Sequence, residues 1–266
     1  MPSIFENGGL IGKINNYTTG YETLEFVGGR TAGTAGTTSN QLFSLTTITG
    51  GIASAPREGD IVIVVLSIAS TADRSYRISG YTQIADIYVN DDEDINLQVG
   101  YKIMGATPDT TFTITGGSGS AFDGLSVAVH VWANIDPDNP IDVTNTQATA
   151  VDTANPNPAS ITPVTPGAQI LVAGGSATNL NTVYNTPGYL SNFYTSVGLD
   201  TNDATVGLGN IAWSGGAYDP AAWTITGADS INFSTAAVTM ALRPKVKQLL
   251  ISKGMINLNA VYNGLQ

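Results

Sequence analysis

Cysteine is missing from this 266-residue chain, histidine occurs once, and charged residues make up only 12%. Disulfides therefore cannot hold the fold together, and cysteine usage leaves the redox compartment unread. Ten Lys and Arg stand against 21 Asp and Glu, a formal net charge of −11, and no Lys or Arg falls between Lys102 and Arg243. That balance excludes nucleic acid as a partner class, because phosphate binding needs a basic surface. No apolar run approaches the ~20 residues of a membrane-spanning helix, so no membrane insertion is expected. The opening "MPSIFENGGLIGKINNY" has no basic stretch leading into an apolar core, so no secretory signal is expected either.

Thr, Ser and Asn supply the polarity, together with 30 Gly. This mixture suits half-buried strands joined by tight turns and disfavours helices. Alternating or wholly apolar runs bounded by Gly, Pro, Asn and Asp recur, among them "DIVIVVLSI", "TQIADIYV", "INLQVGYKIM", "LSVAVHVWANI", "QILVAGGS", "ATVGLGNIAW" and "STAAVTMAL". Short strands at this spacing, with no helical stripe between residues 22 and 244, predict an all-β protein. The expected architecture is an antiparallel β-sandwich of two facing sheets.

The run "TITG" occurs at 47–50, 113–116 and 224–227. Around the last two copies other landmarks recur in the same order. Gly59 and Gly167, each opening an apolar β-branched run, are 108 apart, as are the pairs Gly80-Tyr81 and Gly188-Tyr189. Both copies are followed by an alternating apolar run, "LSVAVHVWANI" in one and "STAAVTMALRP" in the other. The chain thus reads as a duplicated β unit with halves at about 58–135 and 167–244.

The segment between them, 136–166, is rich in Pro beside Asn, Asp and Thr, which predicts a long crossover without strand pairing. Each half alone has too few strands for a sandwich, so a single domain over 22–244 is preferred to two small ones. Outside it lie an N-terminal arm, 1–21, with apolar anchors Ile4, Phe5, Leu10 and Ile11, and a C-terminal tail, 245–266. Four of the ten basic residues fall in the last 24 positions. A basic, apolar tail on an acidic body predicts docking onto a neighbour, including the acidic body of an identical subunit. Lys245 and Lys247 would act by charge, and Leu249, Leu250, Ile251, Met255 and Leu258 by apolar burial.

The inventory for catalysis is thin. His130 in "SVAVHVWANI" shares a strand face with Ala128 and Trp132, where a lone histidine reads as a packing or solvent-edge residue. A Ser–His–Asp arrangement would need it, and no G-x-S-x-G elbow is present. The Gly-rich "GGSGSAFDG" (116–124) lacks a P-loop Lys and lies between two strands, so it is a loop. Glycoside hydrolysis would need two opposed carboxylates, and no pair stands out. Two acidic runs are candidate Ca²⁺ sites: "NDDEDIN" with Asp91, Asp92 and Asp94, and "DPDNPID" with Asp136, Asp138 and Asp142. A solvated hairpin tip and proline turn chemistry explain them more simply, so no cofactor is expected. Tyr76, Tyr81, Tyr88, Tyr184, Tyr189, Tyr194, Trp213 and Tyr218 lie on or beside turns and could form a sugar-stacking platform or close the ends of the core.

Taken in order, a "GD" strand start at Gly59-Asp60, the Gly-Tyr turns, "YKIMGATPD", "NPID" and the closing "WTIT…AAVTMALRP" resemble a β-sandwich module of tailed-bacteriophage virion proteins and some bacterial extracellular proteins. The resemblance covers about 22–244. It implies a jelly-roll-like sandwich with structural or adhesive duty, other virion proteins and copies of itself as partners, residence in a virion assembled in the host cytoplasm, and no catalytic residues. The expected function is a non-enzymatic capsid- or tail-surface protein, with a carbohydrate-binding adhesion module for host glycans as the alternative.

Overall fold

The computed structural model describes residues 18–36, 40–74, 76–115, 123–227 and 232–248. No α-helix occurs among them. The strands are β1 (Thr18–Tyr21), β2 (Glu25–Thr34), β3 (Gln41–Ser44), β4 (Ile61–Ala69), β5 (Arg77–Ile78), β6 (Thr82–Val89), β7 (Ile95–Ile103), β8 (Thr111–Thr115) and β9 (Leu125–Ala133). They continue with β10 (Thr146–Val151), β11 (Gln169–Thr178), β12 (Ser191–Gly198), β13 (Asp203–Ala212), β14 (Ser234–Leu242) and β15 (Val246–Gln248).

Two five-stranded antiparallel sheets face each other, ordered β2-β9-β4-β7-β6 and β10-β14-β11-β13-β12. Each is built from one half of the chain, and the order is the same in both: β10 stands for β2, β11 for β4, β12 for β6, β13 for β7 and β14 for β9. The registers agree as well. Ile61 lies beside Ile103 and Trp132, and Gln169, its counterpart, lies beside Ala212 and Leu242. In the stack β2 packs on β12, β9 on β13, β4 on β11, β7 on β14 and β6 on β10. The duplication has therefore produced an internal two-fold relation about the β4–β11 contact, as in a face-to-face dimer joined into one chain. The two-sheet layering matches the expected sandwich, while each sheet is threaded within its own half.

The repeat is longer than the sequence landmarks suggested. The Pro-rich crossover is not free of strand pairing: Thr146–Val151, between its prolines, adds β10 as an edge strand on β14. Its counterpart β2 lies upstream of the first recognised half and pairs with β9.

Central strands are buried on both faces. Every residue of β4, β9 and β14 is buried, which explains runs such as "VIVVL" in place of clean alternation. Between the sheets lie Ile61, Ile63, Val65, Leu97, Trp132, Leu171, Val206, Leu208, Val238 and Met240. On the outer face of the first sheet, Val62, Val64, Leu66, Val127 and Val129 pack under Leu45, Ile48, Phe112 and Ile114. This cover includes a three-stranded sheet, β3-β8-β5. On the outer face of the second sheet, Ile170 and Val172 pack under Tyr184, Leu190, Trp223 and Ile225. Ile114 and Ile225 are the isoleucines of the two matching TITG copies. The motif recurs because each copy lies in the passage that covers its own sheet.

Along one long edge the two sheets meet, which removes a template for stray strand pairing there. On one side β2 and β12 come so close that a Cβ at Gly33 would overlap the Val197 carbonyl oxygen. Tyr194 of β12 reaches across this seam and donates to Thr49 O at 2.5 Å, its ring lying where a Cβ on Gly29 would be, 2.6 Å from Cε2. On the other side Asn145 Nδ2 donates to Ile84 O on β6 at 3.1 Å.

At one pole β1 and β15 pair into a two-stranded antiparallel ribbon. It is tied to the body by Glu22 N donating to Lys245 O (2.7 Å), Lys245 N to Asn134 O (2.8 Å) and Asn134 Nδ2 to Thr23 O (2.8 Å).

Candidate functional site

The acidic runs do turn chemistry. Asp94, 3% exposed at the head of β7, accepts Asp91 N at 2.7 Å, the Tyr88 hydroxyl at 2.5 Å and the Asn90 amide at 3.4 Å. Asp203 caps the matching hairpin of the second half, accepting Asp200 N at 3.0 Å and Asn181 N at 2.7 Å. Asp91 also accepts Asp152 N at 3.2 Å, joining the hairpin to the end of β10; Asp92 is exposed. Asp136 Oδ1 accepts Asp138 N and Asn139 N at 3.0 and 3.2 Å, and Asp138 is exposed. Among the described residues, no three His, Asp or Glu side chains are grouped to hold a metal.

Glu93, beside Asp94, is pushed up to about 7 by burial, then by the negative charges of Asp123, Asp92, Asp203 and Asp94. Asp142 behaves in the opposite way. Its side chain is inaccessible and accepts Val164 N at 2.6 Å, Thr165 N at 3.1 Å and Arg243 Nε at 3.1 Å. Burial raises its pKa, but the hydrogen bonds from Thr165, Val164 and Arg243 outweigh this and hold the carboxyl below its ordinary value. This candidate Ca²⁺ ligand is thus a clasp between the Pro-rich segment and the end of β14.

His130 is fully buried between the sheets. Its Nε2 donates to Asn192 O at 2.9 Å, since a carbonyl can only accept, and Nδ1 has no hydrogen-bond partner. Phe26 and Tyr194 meet the imidazole edge-on at 5.0 and 5.5 Å. Burial, offset in part by the Asn192 bond, pushes its pKa down to about 3. The ring is neutral and packed, with no route to solvent.

The eight aromatics do not form one platform. Tyr76 and Tyr184 are buried, Tyr184 bonded to the Ser176 hydroxyl. Tyr81 packs on Phe112 with ring centres 6.0 Å apart, Tyr88 serves Asp94, and Tyr194 fills the seam. Tyr189, Trp213 and Tyr218 remain half-buried on the outer cover of the second sheet. A cavity of about 20 Å³, room for one water molecule, lies among Arg77, Ile78, Tyr81, Gln83, Gln98 and Gly100. Its polar walls are partly paired already, Arg77 Nη1 and Gln98 Nε2 both donating to Asp86, at 2.8 and 2.9 Å.

At the ribbon pole Lys245 and Lys247 are exposed. The other expected docking residues, Ile4, Phe5, Leu10, Ile11, Leu249, Leu250, Ile251, Met255 and Leu258, lie outside the described residues. No helix among the described residues is long and apolar enough to cross a membrane. No family model, curated protein or solved structure matches the chain.

Asp142 and Tyr194 stood out in the sequence as an acid and an aromatic, but their roles in the clasp and the seam did not. Both depend on partners far along the chain, 101 residues away for Arg243 and 145 for Thr49. Pairing of the segment before β10 with β14 brings the first together, and the facing of the two halves brings the second.

Proposed function

We propose that this chain is a non-enzymatic structural component of a tailed-phage virion, a capsid- or tail-surface protein of decoration or adaptor type, that docks to neighbouring subunits through its termini. The observation that carries the reading is the β1–β15 ribbon. It holds the two ends of the body side by side at one pole, so that residues 1–17 and 249–266 leave from adjacent points. Exposed Lys245 and Lys247 mark that pole on an otherwise acidic protein.

The motifs behind the phage resemblance all have structural roles, which supports the reading. Asp60 of the "GD" start accepts Arg57 N at 2.8 Å and closes the turn into β4. Lys102 and Asp109 of "YKIMGATPD" pair at 2.6 Å. "NPID" supplies the Asp142 clasp. None of these groups faces a shared cleft, and no cofactor is proposed. Docking energy would come from the apolar anchors of both ends, at about 1.5 kcal/mol or more per fully buried side chain, multiplied when subunits are held in an array. A glycan-binding role is compatible, because it would use the body and not the ends.

The test is removal of 1–17 and of 249–266, singly and together. Cutting at 245 instead would strip β15 and the acceptor of Glu22 N, and would confuse docking with stability. The expected outcome is an unchanged melting temperature with loss of self-association or of incorporation into particles. Full assembly after loss of both segments would overturn the proposal.

A further inference from the structure

The duplication allows the two outer faces to be compared position by position. Along β13 the outward row runs Thr205, Gly207, Gly209, Ile211 and on to Trp213. Its start is covered tightly: a Cβ on Gly207 would lie 2.6 Å from the Trp223 ring, and one on Gly209 would lie 3.0 Å from Leu190. The cover then stops, and Ile211 and Trp213 are only half-buried. The matching row of β7 ends differently. Met104, the counterpart of Trp213, is 2% exposed beneath the first-half cover. That cover includes β3, which has no equivalent strand among the described residues of the second half.

Around Trp213 the half-buried residues are held in place. Its Nε1 donates to Gly216 O at 2.8 Å, so the indole edge is anchored. Tyr218 is pinned through its backbone to Ile161, at 2.8 and 2.9 Å. Tyr189 donates to Ala221 O at 2.6 Å and accepts Trp223 Nε1 at 2.8 Å. Rigid, amphipathic rings lose little entropy when a ligand stacks on them. The exposed rim is neutral and polar for the most part, with Ser214, Asn185 and Asp219. No Lys or Arg occurs anywhere from 103 to 242, which disfavours anionic ligands.

We infer that the Tyr189–Trp213–Tyr218 face is a binding site for neutral saccharides. The C–H faces of a sugar ring would stack on Trp213 and Tyr218, and its hydroxyls would bond to Asp219, Asn185 and Ser214. The site is independent of the docking ends.

Tryptophan fluorescence of the full chain tests this directly, because Trp132 and Trp223 are buried and Trp213 is the one reachable by a quencher. Titration with a panel of neutral oligosaccharides is expected to give saturable protection of Trp213 from acrylamide by at least one of them. Trp213→Ala should weaken that binding ten-fold or more on a glycan array, and Tyr218→Ala should weaken it as well, with Trp213→Phe retaining part and melting temperatures unchanged. The inference is overturned by absence of binding across the panel, by equal binding in Trp213→Ala, or by self-association that Trp213→Ala abolishes. Because the termini are intact in these variants, the outcome is separate from that of the docking test.

Discussion

Replacing Asp142 with Ala should be among the costliest single changes at the polar surface. The carboxylate has no solvent access and receives Val164 N, Thr165 N and Arg243 Nε. Its removal strands two backbone donors and leaves the guanidinium only the carbonyl of residue 142, to which Arg243 Nη2 donates at 3.0 Å. Breaking a buried ion pair by removing one partner costs about 3–5 kcal/mol in all. The guanidinium is 28% exposed and recovers part of its solvation, so a total of about 3–4 kcal/mol is expected. For a domain of this size that is a fall in Tm of about 6–16 °C. Asp142→Asn should cost about half as much, because one oxygen still accepts. Arg243→Ala should cost least, about 1–2 kcal/mol, since the carboxylate keeps its backbone donors. Calorimetry or thermal fluorescence reads the series. The clasp acts with its carboxyl held below the ordinary range, so its contribution persists above the normal aspartate pKa and fades only as pH drops through the lower, folded value. Added Ca²⁺ should change nothing. A loss under 1 kcal/mol in Asp142→Ala, or a Tm that rises with Ca²⁺ in the wild type alone, would refute the reasoning.

Other changes probe the inner layers. Gly33→Ala should fail to fold or melt far lower, because its Cβ overlaps the Val197 carbonyl, while Gly105→Ala, where nothing lies within 4 Å, should be neutral. His130 is held neutral, pushed down to about 3 from 6.5, so the unfolded chain takes up its proton first. Stability should fall as pH drops below 6.5, by about 2–3 kcal/mol near pH 4.5. His130→Met, which installs the residue at the matching position 240, should flatten that fall. Glu93 runs in the opposite sense: with its pKa pushed up to about 7 from 4.5, it weakens the fold as pH rises between those values. Glu93→Gln should therefore stabilise above pH 7 and have no effect below 4.5, by on the order of 1 kcal/mol given solvent screening. Melting curves at both ends of this range separate the two groups.

The architecture was largely readable from residues because central strands need long apolar β-branched runs, and "DIVIVVLSI" or "STAAVTMAL" can do little else. The face of His130 followed from strand alternation. Edge strands were harder. "TQATAV" buries alternate residues only partly and stands among prolines, so nothing local marks it as a strand; its partner β14 does. The Gly-rich "GGRTAGT" end of β2 is similar, since glycine there serves the seam with β12 and not the strand itself. "NDDEDIN" misleads because a capping carboxylate and a metal ligand look alike until donors are seen. Asp142 was noticed as an acid, but its role depends on Arg243 and on Thr165, which only the folded chain brings to it.

The most direct measurement is a cryo-EM reconstruction of particles carrying the protein. The account predicts continuous density from the ribbon pole, at Thr18 and Gln248, into residues of adjoining subunits, with the sheets of the body keeping their separation and register. Density in which the body makes every intersubunit contact, with the chain beyond the ribbon touching no neighbour, would contradict it.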